Sequence, residues 1–308
     1  MTSVSVIIPA FNAERFVGQA VASALGQTVP VLEVIVCDDG SEDRTGDIVD
    51  AIADDRVRRL ALARCGVSEA RNRGAAAARG DLIALLDADD VWHPAKLERQ
   101  LELYEAQPDV GLVYCGYAMC TEDLRVTSEI LPRELDLRRW VLLEGNGFGI
   151  SSTGLIPRKV FEAVGGFDGS LGYCEDMDFV GRIASLYPIV ASPEALVAYR
   201  AHPAQSHRNL ESFESHRRRI LEARLGDVPK DHARALGNLH ARLFFYSLRA
   251  KKSRDAVRHL RRALLRPDRL LMLPTEAALR RGRRWWRERR ERGGAELRTF
   301  GEPPRRAP

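Results

Sequence analysis

The stretch LIALLDADDVWHP, residues 82–94, decides how the chain is to be read. Five apolar residues, Leu82 to Leu86, run directly into Asp87, Asp89 and Asp90. A short, continuous apolar run reads as a strand buried on both faces, as in a parallel sheet covered by helices. Three carboxylates within four positions repel one another. In open α/β sheets ligands bind beyond the carboxyl ends of the strands, and there a cation could hold such charges together.

The chain on either side repeats the pattern. VSVIIPAF (4–11), LEVIVCDDG (32–40), VRRLALA (57–63) and VGLVYCGYAM (110–119) read as further strands. LEVIVCDDG also ends in acids, Asp38 and Asp39. Between the strands lie helical spacings. Residues Ala13 to Gln27 put Phe16, Val17, Ala20, Val21, Ala24 and Leu25 on one face. SEDRTGDIVDAIAD (41–54) has Ser41 as its expected N-cap, GVSEARNRGAAAARG (66–80) is expected to be capped at Ser68 and closed by Gly80, and Pro94 to Gln107 is amphipathic. Alternating β-α units predict an α/β fold with a mostly parallel central sheet and helices on both faces. This domain is expected to span residues 1–208. From about Leu210 the texture becomes helical only, so residues 209–308 are expected to form a helical, basic C-terminal extension. Two helices are read around AKKSRD (250–255), without a second copy that would make an array. TFGEPPRRAP (299–308) is expected to fray.

Composition bounds the rest. The chain has 308 residues, 45% hydrophobic and 29% charged, which is ordinary for a globular protein. The net charge of +4 conceals an asymmetry: residues 251–308 hold 19 Lys and Arg against 7 Asp and Glu. The body is therefore acidic and the tail basic. The tail, with Trp285 and Trp286 among arginines in Arg280–Arg292, suits peripheral contact with an anionic membrane surface. Nucleic acid is not expected as the main partner, because the acidic body offers no basic groove. No apolar run reaches the roughly 18 residues of a membrane span. MTSVSVIIPAFNAERF lacks a basic n-region, so no signal peptide is expected. The five cysteines are scattered without a C-x-x-C pair; reduced thiols in a cytoplasmic protein are the expectation.

Asp87-Ala88-Asp89-Asp90-Val91 admits three readings. It could be a solvated loop of helix-capping acids. By letter it fits the D-x-D-x-[TV] motif of haloacid dehalogenase phosphatases. Or it could hold a hard cation such as Mg²⁺ or Mn²⁺ against a nucleotide diphosphate. A phosphatase of that type opens with its motif, whereas here eighty-odd residues precede it.

Five segments, taken in order, resemble the family 2 glycosyltransferases of GT-A fold: SVIIPAFNAERFVGQAVASALGQT (5–28), EVIVCDDGSEDRTGDIV (33–49), GVSEARNRGAAAARGDLIALLDADDVWHPAKL (66–97), GGFDGSLGYCEDMDFVGRI (165–183) and YRAHPAQSH (199–207). The resemblance implies inverting transfer of a sugar from a nucleoside diphosphate, uridine being favoured, to a hydroxyl of a glycan or lipid-linked acceptor. It implies Mn²⁺ or Mg²⁺ as cofactor. It places Pro9 in the nucleotide-binding segment, Asp39 on the base, Arg71 on base or diphosphate, and Asp87 at the ribose. Asp89 and His202 become metal ligands. Asp176 becomes the general base, with Glu175 on the acceptor side and Asp178 next in line. Asp38 and Asp90 receive no separate role, and Ser152 and Thr153 are expected to line the acceptor cleft. Met177 stands where many relatives carry an aromatic residue, which leaves the acceptor open. The alternative is a sugar-nucleotide-binding protein with weak catalysis.

Overall fold

The computed structural model describes residues 2–132, 150–171, 174–202 and 298–301, with Ile220, Asp255 and His259 as single positions. The chain divides into two compact units, Met1–Val141 with Asn146–Arg208 and Thr299–Pro308, and Leu142–Gly145 with Asn209–Arg298. The first unit carries the architecture below. The expected helices around AKKSRD and the segment Arg280–Arg292 lie outside the described residues. Among the described residues no helix is long and apolar enough to cross a membrane.

In chain order the elements are β1 (Val4–Ala10), α1 (Val17–Leu25), β2 (Glu33–Asp38), α2 (Thr45–Asp50), β3 (Val57–Ala61), α3 (Val67–Ala77), β4 (Leu82–Leu85), β5 (Val91–Trp92), α4 (Lys96–Ala106), β6 (Leu112–Cys120), β7 (Val126–Ile130), α5 (Ile150–Thr153), β8 (Leu155–Pro157), α6 (Arg158–Ala163), α7 (Glu175–Leu186) and β9 (Ile189–Arg200). One sheet runs β3-β2-β1-β4-β8-β6-β9-β5, with β7 on β6. The β3-β2-β1-β4 half is parallel, as is the long β6–β9 ladder. β8 inserts antiparallel between β4 and β6.

The unbroken apolar runs follow from burial on both faces. Val6, Ile8, Val34, Val36, Leu82, Ala84 and Leu86 join one core with α1 and α4. Ile7, Ile35, Cys37, Ile83 and Leu85 join the other, with α3, α6 and α7. None of the five cysteines is in a disulfide.

Three expected caps are corrected. Ser41 lies ahead of α2; Asp43 instead accepts the Thr45 N–H at 2.9 Å. Ser68 sits inside α3, which begins after Gly66, and its hydroxyl reaches the Leu171 carbonyl. α3 ends at Ala77, and Gly80 lies flat on β1 with its N–H on Ser5 Oγ at 2.8 Å. Local sequence offers several candidate caps, and tertiary partners choose among them. Of the stretch expected to fray, only Thr299 to Gly301 are described: Thr299 bridges Arg125, the Phe300 N–H donates to the Leu124 carbonyl at 3.0 Å, and Phe300 packs against the small cluster of Ala118, Cys120 and Ala198.

α3 packs so closely that Gly74 has no room for a side chain. A Cβ there would lie 2.5 Å from Ile7 Cγ2 and 2.6 Å from Cys37 Sγ. Overpacking of this kind costs about 1–3 kcal/mol, against up to about 1 kcal/mol of helix propensity recovered. Gly74→Ala should therefore be less stable than the parent in urea denaturation; an equal or higher midpoint would show that the interface relaxes freely.

Candidate active site

Because β1, β2 and β4 are parallel, their carboxyl ends share one edge, and the acids following β2 and β4 meet there. Pro9 is buried near the end of β1, paired with Cys37. Asp38 closes the turn after β2: Oδ1 accepts the Ser41 N–H at 3.0 Å and Oδ2 faces Arg59 at 3.3 Å. Asp39 is buried, and its carboxylate accepts the N–H groups of Cys65 at 2.6 Å and Gly66 at 2.9 Å. It thereby fixes the turn that starts α3, where Gly66 takes a φ of 90° that glycine tolerates. Phe11 is exposed beside this turn, with the Arg64 guanidinium over its ring.

Arg71 is the centre of the site. It projects from α3, is buried, and rests on the Phe167 ring at 5.2 Å. One guanidinium nitrogen donates to Asp87 Oδ1 at 2.8 Å, another to Glu175 Oε1 at 2.9 Å. Burial alone would disfavour its charge, but the two carboxylates hold it firmly protonated. Its Nε is buried without a partner among the described residues. Asp87 and Glu175, expected on opposite sides of the cleft, are thus tied to one cation. Next to Arg71, Asn72 accepts the Phe167 N–H at 2.8 Å and donates to its carbonyl at 2.9 Å, which locks the GGFD turn. Sequence reasoning passed over Asn72, although it sits inside the quoted EARNRG segment.

α7 begins after Cys174, whose φ of 60° is unusual for a residue with a side chain. Its first turn holds Glu175, Asp176 and Asp178. Asp178 is buried against Arg182 Nε at 2.9 Å, and Met177 is buried as well, so neither opens onto a cleft. Asp176 is half-buried and accepts its neighbour's N–H at 2.7 Å. Burial first, and the Glu175 charge second, push its carboxyl up to about 7. Such a group is poised to exchange a proton near neutral pH.

The D-x-D turn is more ordered than its repulsion suggests. Desolvation and the Asp89 charge raise Asp87 above the usual carboxylate range, against the pull of Arg71. Asp90 is buried and, for lack of water and beside Asp89 and Asp87, titrates well above that range. Ser152 and Thr153, expected to line the acceptor cleft, are instead buried behind the turn. The Ser152 hydroxyl donates to Asp90 Oδ2 at 2.6 Å. Arg200 Nε donates to the Asp89 carbonyl at 2.8 Å, and a second guanidinium nitrogen reaches the Glu122 carbonyl. The chain's own groups therefore hold the turn despite the repulsion among its acids.

Asp89 Oδ2 and His202 Nε2 lie 2.9 Å apart, and His202 Nδ1 is buried without a partner among the described residues. A carboxylate oxygen and an imidazole suit Mn²⁺ or Mg²⁺ in donor type. Among the described residues no three such side chains converge on one point. Two protein ligands fit an ion that completes its shell with substrate phosphates and water.

A parallel α/β sheet whose acidic carboxyl edge is joined by a buried arginine has its ligand site where open sheets of this class bind ligands. The sequence profile of Glycosyl transferase family 2 matches residues 5–165, and the chain belongs to that family. An uncharacterized glycosyltransferase of Nostoc sp. (strain PCC 7120 / SAG 25.82 / UTEX 2576) is 32% identical over 229 residues, 69% of this chain and 69% of its own. One of Rickettsia prowazekii (strain Madrid E) is 33% identical over 211 residues, covering 66% of this chain and 65% of that one. The chain thus spans about two thirds of these relatives. The UDP-Glc:alpha-D-GlcNAc-diphosphoundecaprenol beta-1,3-glucosyltransferase WfgD of Escherichia coli is 33% identical over 147 residues, 47% of this chain and 57% of WfgD. Among solved structures, S. aureus TarS 1-349 in complex with UDP-GlcNAc is similar with a TM-score of 0.63 at 18% identity, covering 94% of this chain and 91% of TarS 1-349. Mannosyltransferase PcManGT from Pyrobaculum calidifontis, in complex with GDP-Man and Mn2+, reaches 0.61 at 21% identity, covering 94% and 83%. These two likenesses speak for the fold. The phosphatase reading of the D-x-D-x-[TV] letters gives way to the family.

Proposed function

We propose that the chain transfers a sugar, with inversion, from a UDP-linked donor to a hydroxyl of a glycan or lipid-linked acceptor. The observation that carries this reading is Arg71, which joins the D-x-D acid Asp87 to the E-D pair at Glu175. Donor-side and acceptor-side groups thereby share one cation. WfgD, by its name, takes UDP-Glc and a diphosphoundecaprenol-linked sugar, which supports the choice of substrates.

In this reading Pro9 belongs to the nucleotide-binding edge. Asp39 faces the base from the turn it holds, and Asp87 binds the ribose. Asp89 and His202 would hold Mn²⁺ or Mg²⁺, which when bound supplies Lewis-acid stabilisation of the diphosphate leaving group. Asp176 accepts the acceptor's proton as the hydroxyl attacks, and Glu175, oriented by Arg71, positions the acceptor.

The test pairs UDP-, GDP- and dTDP-sugars with Mn²⁺, read by thermal shift and by release of nucleoside diphosphate. A UDP-sugar should bind and hydrolyse slowly, and Asp89→Ala should abolish Mn²⁺-dependent UDP binding. Binding of UDP that is identical in EDTA would remove the metal from the reading. Tight binding without any release, even with acceptor extracts, would leave a sugar-nucleotide-binding protein.

A further inference from the structure

Asp90, the third acid of the turn, has a distinct environment. Only 1% of it is exposed, against 27% of the Asp89 side chain. Its two oxygens are taken by protein donors: Oδ2 by the Ser152 hydroxyl at 2.6 Å and Oδ1 by the Arg200 backbone N–H at 3.1 Å. The same Ser152 oxygen accepts the Asp87 N–H at 3.0 Å. A serine hydroxyl has one proton and two lone pairs. Here the proton is spent on the last acid of the turn and a lone pair on the first, so one atom spans the D-x-D segment.

Ser152 is itself held from behind. Its carbonyl accepts the Trp92 indole N–H at 2.7 Å. The next carbonyl, of Thr153, accepts Gln100 Nε2 at 2.7 Å. Gln100 Oε1 accepts the ammonium of the fully buried Lys96 at 2.7 Å, and that ammonium lies 3.9 Å from the Trp92 ring centroid. On the other flank, Arg200 grips the Asp89 carbonyl and, through its guanidinium, Gln19 Oε1 at 2.7 Å. The Asp89 backbone is therefore pinned before and after the side chain that reaches His202.

We propose that Ser152, acting through Asp90, is a positioning residue that fixes the D-x-D turn so that Asp89 presents its carboxylate in register with His202. This rests on the reading of Asp89 and His202 as the metal ligands. Neither Ser152 nor Asp90 touches metal or substrate; each sets where Asp89 stands. Loss of a hydrogen-bonding partner behind a metal ligand costs about 10–100-fold in metal affinity or activity.

Two variants probe the link. Ser152→Ala removes the hydroxyl. Asp90→Asn keeps the shape, but with its oxygen kept on the Arg200 N–H its amide can only donate to the Ser152 oxygen, so the Ser152 hydroxyl proton loses its acceptor and the link reverses direction. Mn²⁺ retention in the presence of UDP is read from the free-ion electron paramagnetic resonance signal of the full chain, for both single variants, the double variant and Asp89→Ala. Each single variant should weaken retention about 10–100-fold. Where turnover is measured, the Mn²⁺ needed for half-activation should rise while kcat at saturating Mn²⁺ stays close to the parent. Because both changes break one link, the double variant should lose no more than the worse single one. If Asp89→Ala abolishes retention while Ser152→Ala and Asp90→Asn stay within about twofold of the parent, the positioning role is overturned. Costs that multiply in the double variant overturn the partnership of Ser152 with Asp90. If Asp89→Ala changes nothing, the metal reading itself fails and takes this inference with it. Should Ser152→Ala not fold, the near-isosteric Asp90→Asn decides alone.

Discussion

Asp176→Asn should lower kcat by about 10²–10⁴-fold, the usual contribution of a positioned general base, while donor affinity stays unchanged. The substitution keeps the shape of the side chain and the hydrogen bond from the Met177 N–H. It removes only the ability to take a proton. In the parent enzyme, kcat/KM should rise with pH through about 7, where burial and the Glu175 charge place this carboxyl, and level off above it. The stability sign is opposite. The unfolded chain releases this proton near 3.8, the folded chain near 7. Between those values the folded state binds more protons, so this group's contribution to stability falls as pH rises through the window and is lowest above it. The Asn variant should then turn over slowly yet be more stable than the parent at pH 8, as seen by thermal denaturation. Near-normal turnover would move the base to Glu175, which is partly exposed, whereas Asp178 is buried against Arg182. Loss of donor binding instead would show that the cleft is not divided as proposed.

Arg71→Met should be the most damaging single change to the site. It leaves Asp87 and the mostly buried Glu175 facing each other without the cation that now joins them. Removing one member of a buried ion pair costs about 3–5 kcal/mol. Since Arg71 also draws the Asp176 carboxyl downward, its loss should move the rising limb of the pH–rate profile to higher pH. Urea denaturation at pH 7.5 and the profile of any residual activity check both parts. A stability loss below about 0.5 kcal/mol, the range of ordinary surface changes, would show that solvent reaches the pair freely.

Much of this was legible in the chain itself. Largely apolar runs named β1, β2, β4 and β6, because strands of a sheet covered on both faces are near-continuously apolar. Acids directly after such runs marked the charged edge of the sheet, because a parallel sheet brings those ends together. Other parts were closed to local reading. β8 is three residues long and antiparallel, and β9 contains Pro193 where the ladder with β6 slips register, so neither carries a clean period. Arg71 meets partners 16 and 104 positions away, a juxtaposition that spacing along the chain does not encode. Asp89 and Asp90 are adjacent and chemically identical in sequence. Only the packing of Ser152 and Arg200 buries one and leaves the other partly open beside His202. Residue type and periodicity determined which elements form and which end of the sheet is charged. Which acid faces solvent depends on desolvation, and that is a property of the assembled neighbours.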